Sequence, residues 1–516
     1  MKLLRQLFSR VVLVSLGIAI QLAWLFFIVF HLSAYYLPIA LGLSLLSLAA
    51  VIFIINRPGN PQVKMAWIVP ILVFPLFGGI IFLISGGKGP KHKLLRALER
   101  SGDMLSPYRK SNMNLDLSNP ASVPVRREDK YLLGQCHYLD KNGFPAYRDT
   151  AAEYYSDCRA GWERLLADLE TAERFIFMEY FIIRPGVMWD TTLEILKRKA
   201  ADGVEVRLMY DDVGSISYLP RDYRKELEAA GIRCIAFNRY KPIYAVVMNH
   251  RDHRKITVID GNVGYTGGVN FADEYIGADL RFGEWRDNIL RLEGEGVRSM
   301  TLLFLEMWNA NRPTDTRDRA ADYMPDPTRS REIRCEGLVQ PYGDSPVDSE
   351  ILAENVYLNV INQATDYVYI YTPYVVIDYE MTRALSLAAR RGVDVRLVVP
   401  AIPDKKIVYA LTKSYFPELM ENGVKVYRFT PGFIHSKVFV ADDRQAVVGS
   451  INLDYRSLTL HFENACMFVD HPVIPSVKAD FLETFPRCQE VTVKKHRFNM
   501  LYHLYLGLLR LFAPLL

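Results

Sequence analysis

Two stretches of this chain are variations on one unit. Residues 195–212, ILKRKAADGVEVRLMYDD, read against 384–401, ALSLAARRGVDVRLVVPA, as a helix, a glycine stop and a β-branched strand. Farther along, 227–238 (LEAAGIRCIAFN) matches 419–430 (LMENGVKVYRFT). Upstream, the apolar 175–182 (FIFMEYFI) matches 367–374 (YVYIYTPY). Strands alternating with helices predict βαβ units and a sheet covered on both faces. At 516 residues the chain is also too long for one ordinary core. The duplication therefore predicts an α/β protein of two equivalent lobes, each a βαβ sandwich with a mixed sheet, over 146–325 and 326–490.

Each copy carries the same polar skeleton. RDHRKITVIDGNVGYTGGVN (251–270) and FIHSKVFVADDRQAVVGSIN (433–452) both contain His-x-Lys-x-x-x-x-Asp, then a small-residue turn and an Asn. Along a strand, residues two apart face the same side. His253 and Lys255 therefore project together, as do His435 and Lys437, while Asp260 and Asp442 fall where each strand ends. Gly267 and Gly268, like Gly449 and Ser450, let the backbone approach a ligand closely, and Asn270 and Asn452 each offer an amide donor. One such motif arises by chance on the order of a few hundredths per chain. Two at equivalent places in a duplicated lobe are not a coincidence of composition. His250, His461, His471 and His503 have no lysine partner and are assigned surface or core roles.

Two ammonium groups and two amides make a cage for a phosphate diester. One histidine can attack phosphorus while the other protonates the leaving oxygen. Each imidazole then needs an acceptor on its other nitrogen. The strand after each motif offers one: Asp287 in RDNILRL and Glu463 in FENACMF. The lysines neutralise phosphate charge without a metal, and no His/Cys/carboxylate cluster with metal-ligand spacing accompanies the motifs; no cofactor is expected. Six scattered cysteines without a C-x-x-C pair argue against a zinc ribbon or a disulfide framework.

The first 90 residues are a different material. Segments 11–30, 32–55 and 66–85 carry no charged residue, and each is near or above the roughly 20 residues that cross a bilayer. They predict an α-helical membrane region over 1–90, with Pro70 and Pro75 making 66–85 a candidate re-entrant segment. Basic clusters flank the region: Lys2, Arg5 and Arg10 before it, and Lys88, Lys91, Lys93 and Arg96 after it. The positive-inside rule favours a cytoplasmic catalytic portion. Residues 91–145 read as a juxtamembrane linker. At 491–516, Lys494, Lys495, His496 and Arg497 precede a run rich in Leu and Tyr, the pattern of an interfacial amphipathic helix or of a helix packed on the core.

The paired motifs resemble those of the phospholipase D superfamily, whose hallmark is two such motifs forming one site between two lobes. TPGFIHSKVFVADDRQAVVGSINLDYRSLTLHFE, NHRDHRKITVIDGNVGYTGGVNFADEY, the membrane-proximal NPQVKMAWIVPILVFPLFGGIIFLISGGK and the terminal LLRLFAPLL are similar to bacterial cardiolipin synthases, from about residue 56 onward. The extra hydrophobic segment 11–30 departs from the two-segment pattern of that family. The resemblance implies transfer of a phosphatidyl group from one phosphatidylglycerol to another, with release of glycerol, at a bacterial cell membrane. It assigns the nucleophile to His253 and the acid/base role to His435, with Lys255, Lys437, Asn270 and Asn452 holding phosphate. It implies that Asp260 and Asp442 support the motif rather than touch substrate. Arg456, Ser457 and Glu274 become candidate headgroup or supporting contacts.

The partners expected are thus phospholipid and membrane. A net charge of +4, with no basic stripe interleaved by aromatics, argues against nucleic acid. The motifs do not separate cardiolipin synthesis from phospholipase D hydrolysis or from use of another alcohol such as phosphatidylethanolamine, because only the acceptor differs. A lipid-binding scaffold without chemistry is disfavoured by the intact His and Lys in both copies.

Overall fold

The computed structural model describes residues 36–57, 59–74, 89–109, 130–239, 250–492 and 500–515, with positions 19 and 23 besides. It divides into a larger unit, Lys93–Arg239 with His250–Arg497, and a smaller one that holds the helices Tyr36–Ile55, Pro61–Val73 and Met500–Phe512.

In the larger unit the sequence repeat becomes a repeat of topology. The first sheet runs Thr150–Tyr155, Ile289–Gly294, Val263–Gly267, Lys255–Ile259, Phe175–Tyr180, Glu205–Asp211, Arg233–Phe237. The second runs Leu338–Asp344, His461–Val469, Gln445–Gly449, Val438–Ala441, Tyr367–Tyr371, Asp394–Pro400, Lys425–Phe429, with Cys488–Glu490 added at the edge. In both, the βαβ strands pair in parallel and the motif strand pairs antiparallel, so the sheets are mixed. The central parallel strands, EVRLMYD and DVRLVVP, are largely buried on both faces because helices cover one side and the core the other, and the buried Arg207 is met by Thr316 and Tyr323. The glycine stops act as read: Gly203 (φ 91°) and Gly392 (φ 97°) take the left-handed conformation that ends the preceding helix.

The two lobes are not separate compact bodies. One apolar cluster contains Phe177, Met209 and Leu290 of the first sheet together with Val438, Val448 and Phe468 of the second. The helix Val297–Asn311 contributes Met300, Phe304 and Trp308 to it, and Phe304 stacks on Phe177 at 4.6 Å. Part of the segment read as linker is also structural. Gly89–Arg109 and Lys130–Lys141 are helices whose Leu98, Leu105, Leu132, Cys136 and Leu139 are buried. The spacing of these side chains on the helices, masked by abundant charge, is what puts them on one face.

In the smaller unit, Tyr36–Ile55 and Pro61–Val73 pack through Val51, Ile54, Ile68 and Ile71. Asn60 caps the second helix, accepting from Gln62 N at 2.9 Å, and Pro61 opens it. Of the apolar run 66–85, residues 66–74 are described. Its helix stops at Val73, before the Phe74-Pro75 step, because the residue preceding a proline is pushed out of the α region. Among the described residues no helix is long and apolar enough to cross a membrane. The uncharged Tyr36–Ile55 nevertheless exposes Leu41, Leu45, Leu46, Leu48, Ile52 and Phe53. Segment 11–30 apart from positions 19 and 23, all of 75–88, and the basic run 494–497 lie outside the described residues. The terminal helix Met500–Phe512 belongs to this smaller unit and packs beside Pro61–Val73.

Candidate active site

Each motif histidine enters its strand through a short pairing with the opposite lobe. Arg251–Asp252 pairs in parallel with the start of His461–Val469, and His253 N donates to Phe462 O at 2.9 Å. Gly432–Ile434 pairs in parallel with Glu284–Arg286, and His435 N donates to Arg286 O at 2.7 Å. This register decides which carboxylate each histidine meets. His253 Nδ1 lies 2.9 Å from Glu463 Oε1 and 3.0 Å from Oε2. His435 Nδ1 lies 2.6 Å from Asp287 Oδ2. The sequence placed each carboxylate after its own motif; the structure gives it to the histidine of the other lobe. With a carboxylate as acceptor, the ring proton of His253 sits on Nδ1 and its Nε2 lone pair is available, while His435 Nδ1 is shared between Asp287 and Lys437 Nζ, 2.8 Å away.

The surroundings hold these groups in place. Glu463 accepts from Ser457 Oγ at 2.7 Å and from Ser450 Oγ. At the equivalent point of the first lobe stands Gly268, where a Cβ would lie 2.0 Å from Asp287 Oδ1. The turns GGVN and GSIN thus solve one problem in two ways, by a glycine that makes room and a serine that donates. Ser457 supports Glu463 as a hydrogen-bond donor; Glu274 instead pairs with Arg184 at 3.1 Å, and Arg456 is largely buried. Lys255 and Lys437 are buried and each donates to the carbonyl of its own motif histidine. Asn270 spends its amide on Ile182 N (3.1 Å, accepting) and the Tyr275 hydroxyl (2.9 Å, donating), so one of its N–H protons is committed inside the lobe. Asn452 is buried, with Oδ1 unpartnered.

Asp260 and Asp442 stand at the far ends of their strands, away from the histidines. Asp260 accepts from the backbone N–H groups of Glu173, Arg174 and Phe175, each at 2.8 Å. Asp442 accepts from Thr365, Asp366 and Tyr367 at 2.7, 2.9 and 2.9 Å. Both adopt left-handed φ (51° and 54°), which Asp tolerates better than most side chains. They tie the turn after the motif strand to the loop that begins the neighbouring strand.

Burial sets the charge states. It holds His253 and His435 well below the ordinary histidine range, reinforced by the facing lysines. It also pushes Lys255 down to about 7 and Lys437 to about 8, and raises Asp287 to about 6. Phe181 lies 4.8 Å from the His253 ring, and Trp285 and Tyr275 lie 5.5 and 5.7 Å from His435. The site therefore sets two neutral imidazoles among aromatic rings, beside two buried lysines that gain or lose their charge close to neutral pH. A hollow of about 460 Å³ lies on the reverse face, lined by Arg254 and Phe462, whose side chains alternate away from the histidines.

His461, assigned a surface or core role from the sequence, is buried beside the first motif histidine. His461 precedes Glu463 by two residues, shares its face, and stands 5.4 Å from His253, ring to ring. The alternation that pairs His253 with Lys255 also finds it. His253, His461 and Glu463 form a group able to hold a metal ion, assembled across the lobes and so invisible to a scan for ligand spacing along the chain.

A family model described as "Cardiolipin synthase, PLD-like domain" matches residues 165–283 and again 357–485, once per lobe. A second, described as "Phospholipase_D-nuclease N-terminal", matches 45–87. An uncharacterized protein of Streptococcus mutans is 42% identical over 91% of this chain and all of its own length. A cardiolipin synthase of Halalkalibacterium halodurans is 32% identical over 93% of each chain. The crystal structure of phosphatidylserine synthase from Haemophilus influenzae shares the fold, with a TM-score of 0.54 at 16% identity over 74% of this chain and 98% of that one.

Proposed function

The chain belongs to the family of phospholipase D-like cardiolipin synthases, and from that membership we propose that it transfers a phosphatidyl group from one phosphatidylglycerol to another, giving cardiolipin and glycerol. The observation that carries the chemistry is the crossed pair of carboxylate-held histidines, His253–Glu463 and His435–Asp287, with Lys255 and Lys437 beside them.

The donor phosphodiester binds between the two ammonium groups. His253 Nε2 attacks phosphorus while Glu463 holds Nδ1–H and stabilises the positive charge that grows on the ring. In the empty site His435 is disfavoured as a cation by burial and by Lys437. The incoming phosphodiester anion offsets the lysine charges, so His435 can hold the proton that departing glycerol requires. The phosphorus–oxygen bond to glycerol breaks as the phosphorus–nitrogen bond to His253 forms. In the second half, neutral His435 accepts the proton of the incoming phosphatidylglycerol hydroxyl, whose oxygen displaces His253. Asn452 and Asn270 complete the polar lining, and no metal or cofactor takes part.

The smaller unit is placed in the bacterial cell membrane as a multi-pass anchor, supported by its exposed leucines and isoleucines and the uncharged runs of the sequence. The larger unit then lies on the cytoplasmic side, where Lys91, Lys93 and Arg96 also fall. A direct test of the mechanism is acid quench during turnover, followed by mapping of the phosphatidyl adduct. The adduct is expected on the peptide carrying His253; an adduct on His435 reverses the roles, and no adduct removes the covalent route.

A further inference from the structure

We propose that His253, His461 and Glu463 bind a divalent transition-metal ion, zinc best, and that its binding switches the enzyme off. His461 carries the first part of the case. It is 7% exposed, and among the described residues neither ring nitrogen lies within hydrogen-bond distance of a partner. Glu463 Oε1 lies 3.7 Å from its Nδ1, near enough for charge attraction but longer than a hydrogen bond. A buried imidazole with both nitrogens idle is costly unless something outside the protein's own hydrogen bonds meets it.

The second part is the company it keeps. One donor atom from each of His253, His461 and Glu463 lies within 4.8 Å of the others, and all three side chains are buried. Ligand atoms around a zinc ion at about 2.0–2.2 Å stand roughly 3–3.5 Å apart, so closing the set takes side-chain adjustments of about an ångström. Two imidazoles and one carboxylate suit zinc, cobalt or copper and not magnesium or calcium, which need oxygen ligands. Three protein ligands leave a position open for water or a phosphate oxygen. The charge balance is mixed: Glu463 favours a cation, while Lys255, Lys437 and Arg456 oppose it. That mixture fits a reversible regulatory ion better than a permanent one.

Inhibition follows from which atom is taken. The ion takes the lone pair of His253 Nδ1 in the neutral ring, so the ring proton moves from Nδ1 to Nε2, the attacking lone pair is lost, and the hydrogen bond to Glu463 that orients the ring is broken. This half rests on His253 being the nucleophile; the binding half does not.

The experiment uses the full chain in detergent or in phosphatidylglycerol vesicles. Turnover is titrated with buffered zinc, and each variant is compared with its own zinc-free rate. The wild type is expected to lose activity, to recover it with EDTA and to ignore magnesium. His461→Asn is expected to need at least about tenfold more zinc, the loss of one ligand at about 1.4 kcal/mol per decade. Independently, Co2+ added to the wild type without lipid is expected to give the intense visible bands of a low-coordinate nitrogen/oxygen site, weakened in His461→Asn. Equal zinc sensitivity in wild type and variant overturns the assignment, and so does a wild-type cobalt spectrum no different from the aqueous ion. A cobalt site without zinc inhibition would keep the binding and discard the regulatory role. It would also direct doubt to the nucleophile assignment, which the adduct mapping decides separately.

Discussion

The crossed carboxylates make a prediction that own-lobe pairing does not. Replace Glu463 by Gln and, separately, Asp287 by Asn. Glu463 faces His253 Nδ1 at 2.9 and 3.0 Å through both oxygens; Asp287 faces His435 Nδ1 at 2.6 Å through one. A hydrogen bond to a charged group contributes about 1.5–3 kcal/mol. At about 1.36 kcal/mol per decade, its loss alone slows the step by about 10- to 150-fold. An amide whose N–H points at Nδ1 also forces the ring proton onto Nε2, which carries such losses towards about 10⁴. Both variants should therefore fall by about 10² to 10⁴ with phosphatidylglycerol. They separate with a p-nitrophenyl phosphodiester, whose leaving group needs no proton. Asp287→Asn cripples only the acid, His435, so release of p-nitrophenol should return to near the wild-type rate for the first turnover. Glu463→Gln cripples the nucleophile and should stay slow, as should His253→Ala, while His435→Ala should behave like Asp287→Asn. The assay is a stopped-flow burst at 405 nm-type nitrophenolate absorbance on protein verified as folded. Rescue of Glu463→Gln with no rescue of Asp287→Asn would refute the crossed assignment, and loss below threefold in both would refute the role itself.

Other outcomes follow from the same geometry. Asp260→Ala leaves three backbone donors unsatisfied and should lower unfolding free energy by about 3 kcal/mol, read by chemical denaturation; Asp442→Ala, whose donors are more exposed, should cost less. Lys255, held down to about 7 by burial, is charged below that pH and loses its proton above it. The pH profile of kcat/KM should accordingly fall through pH 7 to 8 while kcat falls later, because bound phosphodiester restores the charge. Lys255→Arg should abolish that limb, since arginine does not titrate there; an unchanged limb would show that another group causes it. Turnover should survive EDTA, and any trace-metal inhibition should be relieved by it; restoration of an EDTA-killed enzyme by a divalent ion would contradict the metal-free route.

What the sequence revealed and what it hid have physical reasons. The lobes and their sheets were legible because the repeat preserves helix, glycine stop and strand in order, and Gly203 and Gly392 mark the same turn twice. The His–Lys pairs were legible from their alternate spacing, although the strands themselves begin only at Lys255 and Val438 and leave His253, His435 and Lys437 in the links before them. The exchange of Asp287 and Glu463 was not, because it rests on two interlobe pairings of two and three residues, Arg251–Asp252 and Gly432–Ile434, too short to carry a propensity signal. His461 was read as a surface or core residue for want of a lysine partner; it is buried, and the interlobe pairing that sets it beside His253 gives no signal along the chain. The helix Gly89–Arg109 was read as linker because its charges outnumber the few leucines that bury. Pro75, which marked 66–85 as an interrupted segment in the sequence, follows the Phe74 cap at which the helix Pro61–Val73 ends.

The central claim is that one phosphatidylglycerol accepts what another donates. It is tested most directly by incubating the purified full chain with phosphatidylglycerol as the only lipid and quantifying the products. The account predicts cardiolipin and free glycerol in equal amounts, both absent in His253→Ala. Phosphatidic acid and glycerol without cardiolipin would contradict it and make water, not lipid, the acceptor.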